Sequence, residues 1–457
     1  VSYRRRRLSI AAIAIAGATA AALGASATAA SSNLPAKGDT RFGWKVQALQ
    51  HASSYGEPSI LTSKGLTVVD TFGPTVWTSA NHGKTWTLVK PEDIDITGCP
   101  SGDADHTILG DGSILADNLC LAGPSNLLYR STDKGKTFHP AGEAGAVPGE
   151  AGVDSDRQWL APDPHNPKVV YMSYHDLAGP NIWVARSTDG GTTFPQRVPV
   201  TAFTPTAFAD AEGGNTSARP LIDPRRESTL YVTYAYSDPV TSNSAAPTEP
   251  DFVLRKIGIA ISKDNGLTWT NVVAYDGTAQ KARVGHPFTT ATIDAAGNLY
   301  VAFSQRLEPS KKTGVYMIRS TDQGKTWSKP FLVNTPSNGS NVMPSIASPR
   351  AGVVDFAYYS TKVADFDSKA GEWAVEFSQT KNALAAHPTF SHSRVGGTSH
   401  YKDICLAGTL CAVTGGNRNL SDYLGLTIDA KGLAQIVWTE DSETRGTTMY
   451  AEQSRQP

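Results

Sequence analysis

The chain has 457 residues, 40% hydrophobic and only 18% charged, with a formal net charge of −1. That length exceeds what one ordinary core fills unless the fold is modular. Beyond the N-terminus the charge is evenly spread, which excludes a disordered chain, a coiled coil and a nucleic-acid footprint.

Residues 1–29 read as an export signal. Four arginines at positions 4–7 precede an Ala-rich apolar run, and small residues around Ala27 to Ala30 suit cleavage. The run is weakly apolar for a membrane anchor. Its removal leaves 37 basic against 42 acidic side chains, so a mildly acidic exported protein without a transmembrane anchor is expected. Residues 30–40 read as a flexible mature N-terminus and 41–457 as a single domain. The segment 41–50, "RFGWKVQALQ", is strand-like and has no local partner.

One string then recurs. "TSANHGKTW" ends at Trp86, "RSTDKGKTF" at Phe138, "RSTDGGTTF" at Phe194, "ISKDNGLTW" at Trp269 and "RSTDQGKTW" at Trp327. The pattern is Ser-x-Asp-x-Gly-x-Thr-aromatic, with Asn81 where the other copies carry Asp133, Asp189, Asp264 and Asp322. Spacing places a sixth, degenerate copy at Ser378, where the Asp-x-Gly turn is lost, and a seventh strand ends at Ser454. Upstream of each copy, two β-rich runs flank a short turn, as in "RPLIDP-RREST-LYVTYAY" and "PFTTATID-AAGN-LYVAFSQR". With the runs on either side of the string, each unit of about 55 residues reads as a four-stranded antiparallel meander.

Repeated four-stranded units predict an all-β fold, a seven-bladed β-propeller, with six blades as the runner-up. The last unit has only three strands downstream, so the N-terminal strand is expected to supply its fourth and close the ring. The recurring string is then a rigid corner. Asp accepts bonds from backbone N–H groups of its own turn, Gly takes a positive φ, and the aromatic ring packs between sheets. In a meander these corners share one face with the turns after first strands. The longer loops, 139–156, 202–218, 237–251, 275–285 and 391–421, fall on the other face, where a site is expected.

Just before innermost strands stand Arg157, Arg219, Arg283 and Arg418. Near them or at the ends of second strands lie Asp156, His175, Asp176, Glu440 and Asp441, and Tyr423 and Tyr236 offer hydroxyls. The arginines could clamp a carboxylate, or pair with acids such as Asp156 and Asp422 to stitch blades. Asp176 or Glu440 would need burial to act as a general acid. His286 reads as a packed histidine. Asp103, Asp105 and His106 in "SGDADH" could hold calcium with backbone carbonyls, as could residues 365–372, but neither completes a loop motif. No metal centre and no cofactor is expected. The four cysteines, Cys99, Cys120, Cys405 and Cys411, suit disulfides in an exported chain; proximity favours Cys99–Cys120 and Cys405–Cys411 among three possible pairings.

In this arrangement the repeated string resembles the Asp-box of the sialidase-like, bacterial-neuraminidase-repeat family of secreted propellers. "DRQWLA", "DAAGNLYVAF" and "NRNLSDYLGLTIDAKGLAQIVWTE" are also similar to segments of bacterial members regarded as exo-sialidases or glycosyl hydrolases. The resemblance implies a secreted, monomeric propeller acting on extracellular glycans. It implies three arginines on a substrate carboxylate, a tyrosine nucleophile helped by a glutamate, and an aspartate acid. The family's Arg-Ile-Pro triplet is absent here, and six blades are its usual number. A non-catalytic glycan- or protein-binding propeller at the cell surface is the alternative. A xyloglucanase-like double propeller would need about twice the chain.

Overall fold

The computed structural model describes residues 42–49, 56–71, 75–89, 103–119, 126–144, 155–176, 182–200, 218–236, 254–285, 288–406, 411, 415–441 and 446–455. They form seven antiparallel sheets, the blades of a β-propeller. Blade 3 shows the plan: Ser155–Pro162, Val170–Asp176, Ile182–Ser187 and Gln196–Pro199 pair in chain order. Among the described residues no helix is long and apolar enough to cross a membrane.

The seventh blade is closed by the N-terminal strand. Trp44–Ala48 pairs antiparallel with Thr447–Gln453, from Trp44 opposite Gln453 to Ala48 opposite Met449. Ser454 N–H donates to the Gly43 carbonyl at 3.2 Å and Leu49 N–H to Thr448 at 2.9 Å, which ties the two ends together.

The core consists of seven apolar wedges, one at each blade interface. The aromatic residue that ends each Asp-box packs into the wedge shared with the preceding blade. Phe138 joins blade 1 to blade 2, Phe194 blade 2 to 3, Trp269 blade 3 to 4, and Trp327 blade 4 to 5. Trp86 closes the ring edge-on against Tyr450 of blade 7, centroids 4.9 Å apart. Blade 7 lacks a box, and there Trp44 of the N-terminal strand meets Phe377 of blade 6 at 5.1 Å.

The boxes have the bonding their residue types imply. In blade 4, Asp264 Oδ1 accepts from Ser262 Oγ (2.8 Å), Leu267 N (3.1 Å) and Thr268 N (2.9 Å), and Oδ2 accepts from Thr268 Oγ1 (2.6 Å). The Ser262 hydroxyl in turn accepts from Gly266 N at 2.9 Å. In blade 5 Gln323 (φ 67°) and Gly324 (φ 80°) are both left-handed, and a side chain at Gly324 would meet Ile261 of blade 4. Glycine therefore meets two demands there: the turn and the close approach.

The sixth copy is not lost, as expected at Ser378, but displaced. Ser378 instead bonds Tyr358 and His392. Thr380 and Asn382 take the Ser and Asp places, and Asn382 Oδ1 accepts from Thr389 N at 2.9 Å across seven residues, where Asp264 reaches Thr268 across four. Phe390 then enters the wedge with blade 5. The extra turn length hid the motif.

Box turns and the turns after first strands lie on one face and touch: Gly190 N–H donates to Lys168, Asn265 to Ser228, and Ala383 to Gly352. Arg157 and Arg219, just at or before the start of inner strands, lie at the opposite mouth.

Candidate functional site

The mouth is organised by blade 3. Its inner-strand register slips between Asp156 and Trp159, and Arg157 sits in this bulge at φ 49°. A bulge re-aims one side chain out of the alternation. Arg157 is thereby 2% exposed, with its guanidinium 4.5 Å from the Trp159 ring centroid and 4.8 Å from that of Tyr423. Its Nη1 donates to Glu57 Oε2 at 2.5 Å and lies 3.7 Å from Asp103 Oδ2, and Nη2 donates to the Ala104 carbonyl at 3.2 Å.

Two further arginines converge there. Arg219 Nη2 donates to Asp105 Oδ1 at 2.7 Å, and its guanidinium lies 5.4 Å from the same Trp159 ring. Arg418 Nη2 lies 3.6 Å from Glu57 Oε1 and donates to Asp422. Glu57 thus faces an arginine with each carboxylate oxygen. The Cys405–Cys411 disulfide lies at the base of the segment that presents Arg418: Cys405 N–H donates to Asn417 at 2.7 Å and Gly416 N–H to Cys411 at 2.9 Å.

Arg283 does not join them. It lies on a three-residue strand of its own, Ala282–Val284, opposite Arg306, and Gly285 (φ 73°) turns the chain before the next inner strand. Its Nε donates to Glu308 at 2.6 Å, and Arg255 contacts the same carboxylate at 3.5 Å. Residues 275–285, expected to be a loop, hold this strand and a single 3₁₀ turn, Thr278–Gln280.

Below the arginines, Trp159, Tyr423 and Phe288 form an aromatic triad with centroids 5.1, 6.3 and 6.0 Å apart. The triad helps to wall a cavity of about 350 Å³, whose other lining includes Ser59, Leu221, Thr290 and Leu426 of the inner strands.

The electrostatics at the mouth are strongly perturbed. Burial, with the neighbouring Asp103 charge, pushes the Glu57 carboxyl well up against the opposing pull of Arg157. Asp103 is also within hydrogen-bonding contact of Glu57, and its side chain is 18% exposed, against 6% for Glu57. Two touching carboxyl groups disfavour the doubly charged form, and their titration belongs to the pair. Burial opposes the charge of Arg157, but Tyr423, Asp103 and Glu57 outweigh it and hold the guanidinium above its usual range. Burial raises the Tyr423 hydroxyl, with Arg157 partly offsetting it.

The remaining expected residues scatter. Glu440 ends the second strand of blade 7, half-buried opposite Thr447. Its neighbour Asp441 contacts His400 Nδ1 at 2.5 Å and accepts from Asn419 at 2.6 Å. Tyr236 lies against Tyr234 at 5.6 Å. The side chains of Asp156, His175 and Asp176, and residues His286, Cys99 and Cys120, lie outside the described residues, as do the proposed export signal and mature N-terminus. No sequence motif marks Glu57, Trp159 or Phe288 as site residues, and "SGDADH" suggests Asp103 only as a calcium ligand. Glu57 had a signal: it precedes an inner strand, as Arg219 does.

A seven-sheet ring with these corners and this mouth defines a BNR/Asp-box-repeat β-propeller, and a family model described as BNR/Asp-box repeat matches residues 318–329. The chain is 28% identical over 233 residues to a xyloglucanase of Hypocrea jecorina (strain QM6a), a match covering 48% of this chain and 24% of that protein. It therefore spans about a quarter of the length of that curated relative. Among solved structures, an α-L-arabinofuranosidase from Fusarium graminearum superposes with a TM-score of 0.48 at 14% identity, covering 77% of this chain and 93% of that one. A Hadza microbial sialidase gives 0.35 at 16% identity, covering 73% and 74%.

Proposed function

We propose that this protein is an exported, glycan-directed propeller of the glycoside hydrolase kind, acting on extracellular glycans at the mouth described above. The observation that supports it best is the Glu57–Asp103 carboxyl pair, set between arginines and beside an aromatic-walled cavity, with the buried Glu57 carboxyl pushed well up. In this reading the pair delivers the proton to the glycosidic oxygen. Asp103 is its solvent-facing member and the acid. Arg219 and Arg418, with side chains 26% and 28% exposed, donate to a sugar carboxylate or hydroxyl. The finer reading is an exo-sialidase-type reaction. A neutral Tyr423 hydroxyl then attacks the anomeric carbon as the glycosidic C–O bond breaks and Asp103 protonates the leaving oxygen; the phenol proton passes to the neighbouring Glu57 carboxylate, and water later displaces the tyrosine to release the sugar. An ionised carboxylate nucleophile would repel an acidic sugar.

The test is turnover of sialosides, arabinosides, xyloglucan oligosaccharides and aryl glycosides by wild type, Glu57→Gln, Asp103→Asn and Tyr423→Phe. We expect release from one class and a loss of at least about 100-fold in Asp103→Asn, the scale of one acid–base group. Silence across the panel by well-folded wild type would overturn the hydrolase reading. One observation favours the alternative, a non-catalytic glycan-binding propeller: Arg157, Arg219 and Arg418 each already face a carboxylate of the chain. Glycan-array binding without turnover would select it.

A further inference from the structure

Blades 1 and 2 bury a second group of ionisable side chains, which the proposed reaction leaves unused except for Asp105. Asp70 lies near the end of the second strand of blade 1, and Asp105 and His106 lie side by side on the inner strand of blade 2. Asp70 is 1% exposed and the other two are fully buried. One ligand atom from each lies within 4.8 Å of those of the other two.

Three details set this group apart from an ordinary ion-pair network. First, Asp70 Oδ2 and His106 Nδ1 face each other at 2.9 Å as an ion pair, while His106 Nε2 and Asp70 Oδ1 have no hydrogen-bond partner among the described residues. Second, Asp105 is fixed from outside: Ser59 Oγ (3.0 Å), Leu160 N (2.7 Å) and Arg219 (2.7 Å) hold its carboxylate against the group. Third, Asp117 stands directly across the strand pair from Asp105, 2% exposed, with Gln158 as its hydrogen-bonding neighbour. Buried polar groups are almost always satisfied, so the unpartnered imidazole nitrogen and the free Asp70 oxygen call for a further ligand.

We infer that Asp70, Asp105 and His106, with Asp117 alongside, bind a divalent transition-metal cation of the Zn²⁺ or Mn²⁺ kind that pins blade 1 to blade 2. An imidazole among carboxylates favours such ions over Ca²⁺, which takes oxygen sets. The ion is structural: it lies behind Asp105, the carboxylate that holds Arg219. This departs from the sequence expectation of no metal. It also differs from the calcium loop considered for "SGDADH", because Asp103 turns to Arg157 while Asp70 arrives from the neighbouring blade.

The experiment uses the full chain, purified without chelator and without a metal-affinity tag. Elemental analysis should find about one Zn or Mn per chain. After chelator treatment the melting temperature should fall, and recover on adding ZnCl₂ or MnCl₂ but not CaCl₂. His106→Gln should lose that response; if it does not fold, Co²⁺ bound to wild type should give the visible bands of a nitrogen–oxygen site. Metal-free protein whose melting is indifferent to all three salts, recovery with calcium alone, or an unchanged response in folded His106→Gln overturns the inference. None of these outcomes depends on turnover at the mouth.

Discussion

Asp355 offers a sharp stability test. It lies fully buried on the second strand of blade 6, opposite Ala347 and Gln379. Its Oδ1 accepts from Gln379 Nε2 at 2.8 Å, and Oδ2 has no aligned partner. Burial pushes this carboxyl up to about 7, with the Gln379 bond and the charges of Arg350 and Lys381 pulling weakly the other way. The sign follows from linkage. Below about pH 4 both folded and unfolded chains carry the proton, and nothing is lost. Between about 4 and 7 only the folded chain keeps it, so stability falls by about 1.4 kcal/mol per pH unit, roughly 4 kcal/mol in all. Asp355→Asn keeps the acceptor for Gln379 and removes the titration. Urea unfolding of both proteins at pH 4, 5.5, 7 and 8.5 should give near-equal midpoints at pH 4 and a widening advantage for the variant up to about pH 7. Parallel curves across that range refute the reasoning.

Two further substitutions probe the corners and wedges. Asp264→Ala removes an acceptor of four bonds, and we expect a loss of about 1–3 kcal/mol by urea unfolding at pH 7. The Thr268 hydroxyl and amide hold the Asp264 carboxyl below its usual range, with burial opposing. Its contribution is therefore present above about pH 4 and lost on acidification through the lowered pKa, so variant and wild type should converge in acid. Phe194→Ala empties a site 3% exposed in the wedge between blades 2 and 3, with an expected cost of about 3–5 kcal/mol by the same assay. In the turnover assay, activity of wild type should decline as rising pH strips the proton from the Glu57–Asp103 pair.

The fold was legible because its signals are local. A box needs only Ser, Asp, Gly, Thr and an aromatic residue within one turn, and five of the seven blades repeat it. Even ring closure showed, as a strand-like segment at 41–50 without a partner. The sixth box escaped because a longer turn separates Asn382 from Thr389, although the bonding is the same. The site was legible only in part. Arg157, Arg219, Arg418 and Tyr423 could be picked by their positions before inner strands. That Glu57 would meet Arg157 and Arg418, or that Asp70 would meet His106, depends on ring geometry joining distant segments. Arg283 shows the converse: the same sequence position, but a local strand and the nearby Glu308 draw it elsewhere.

The central claim is that working groups gather at the mouth opposite the Asp-box corners. Hydrogen–deuterium exchange with 3′-sialyllactose or arabino-oligosaccharide, at concentrations that saturate binding, tests it most directly. Protection should appear in peptides covering 56–60, 103–106, 157–160 and 417–424, and be absent from 320–327. Protection at the corners with none around Glu57 and Arg157 would contradict it.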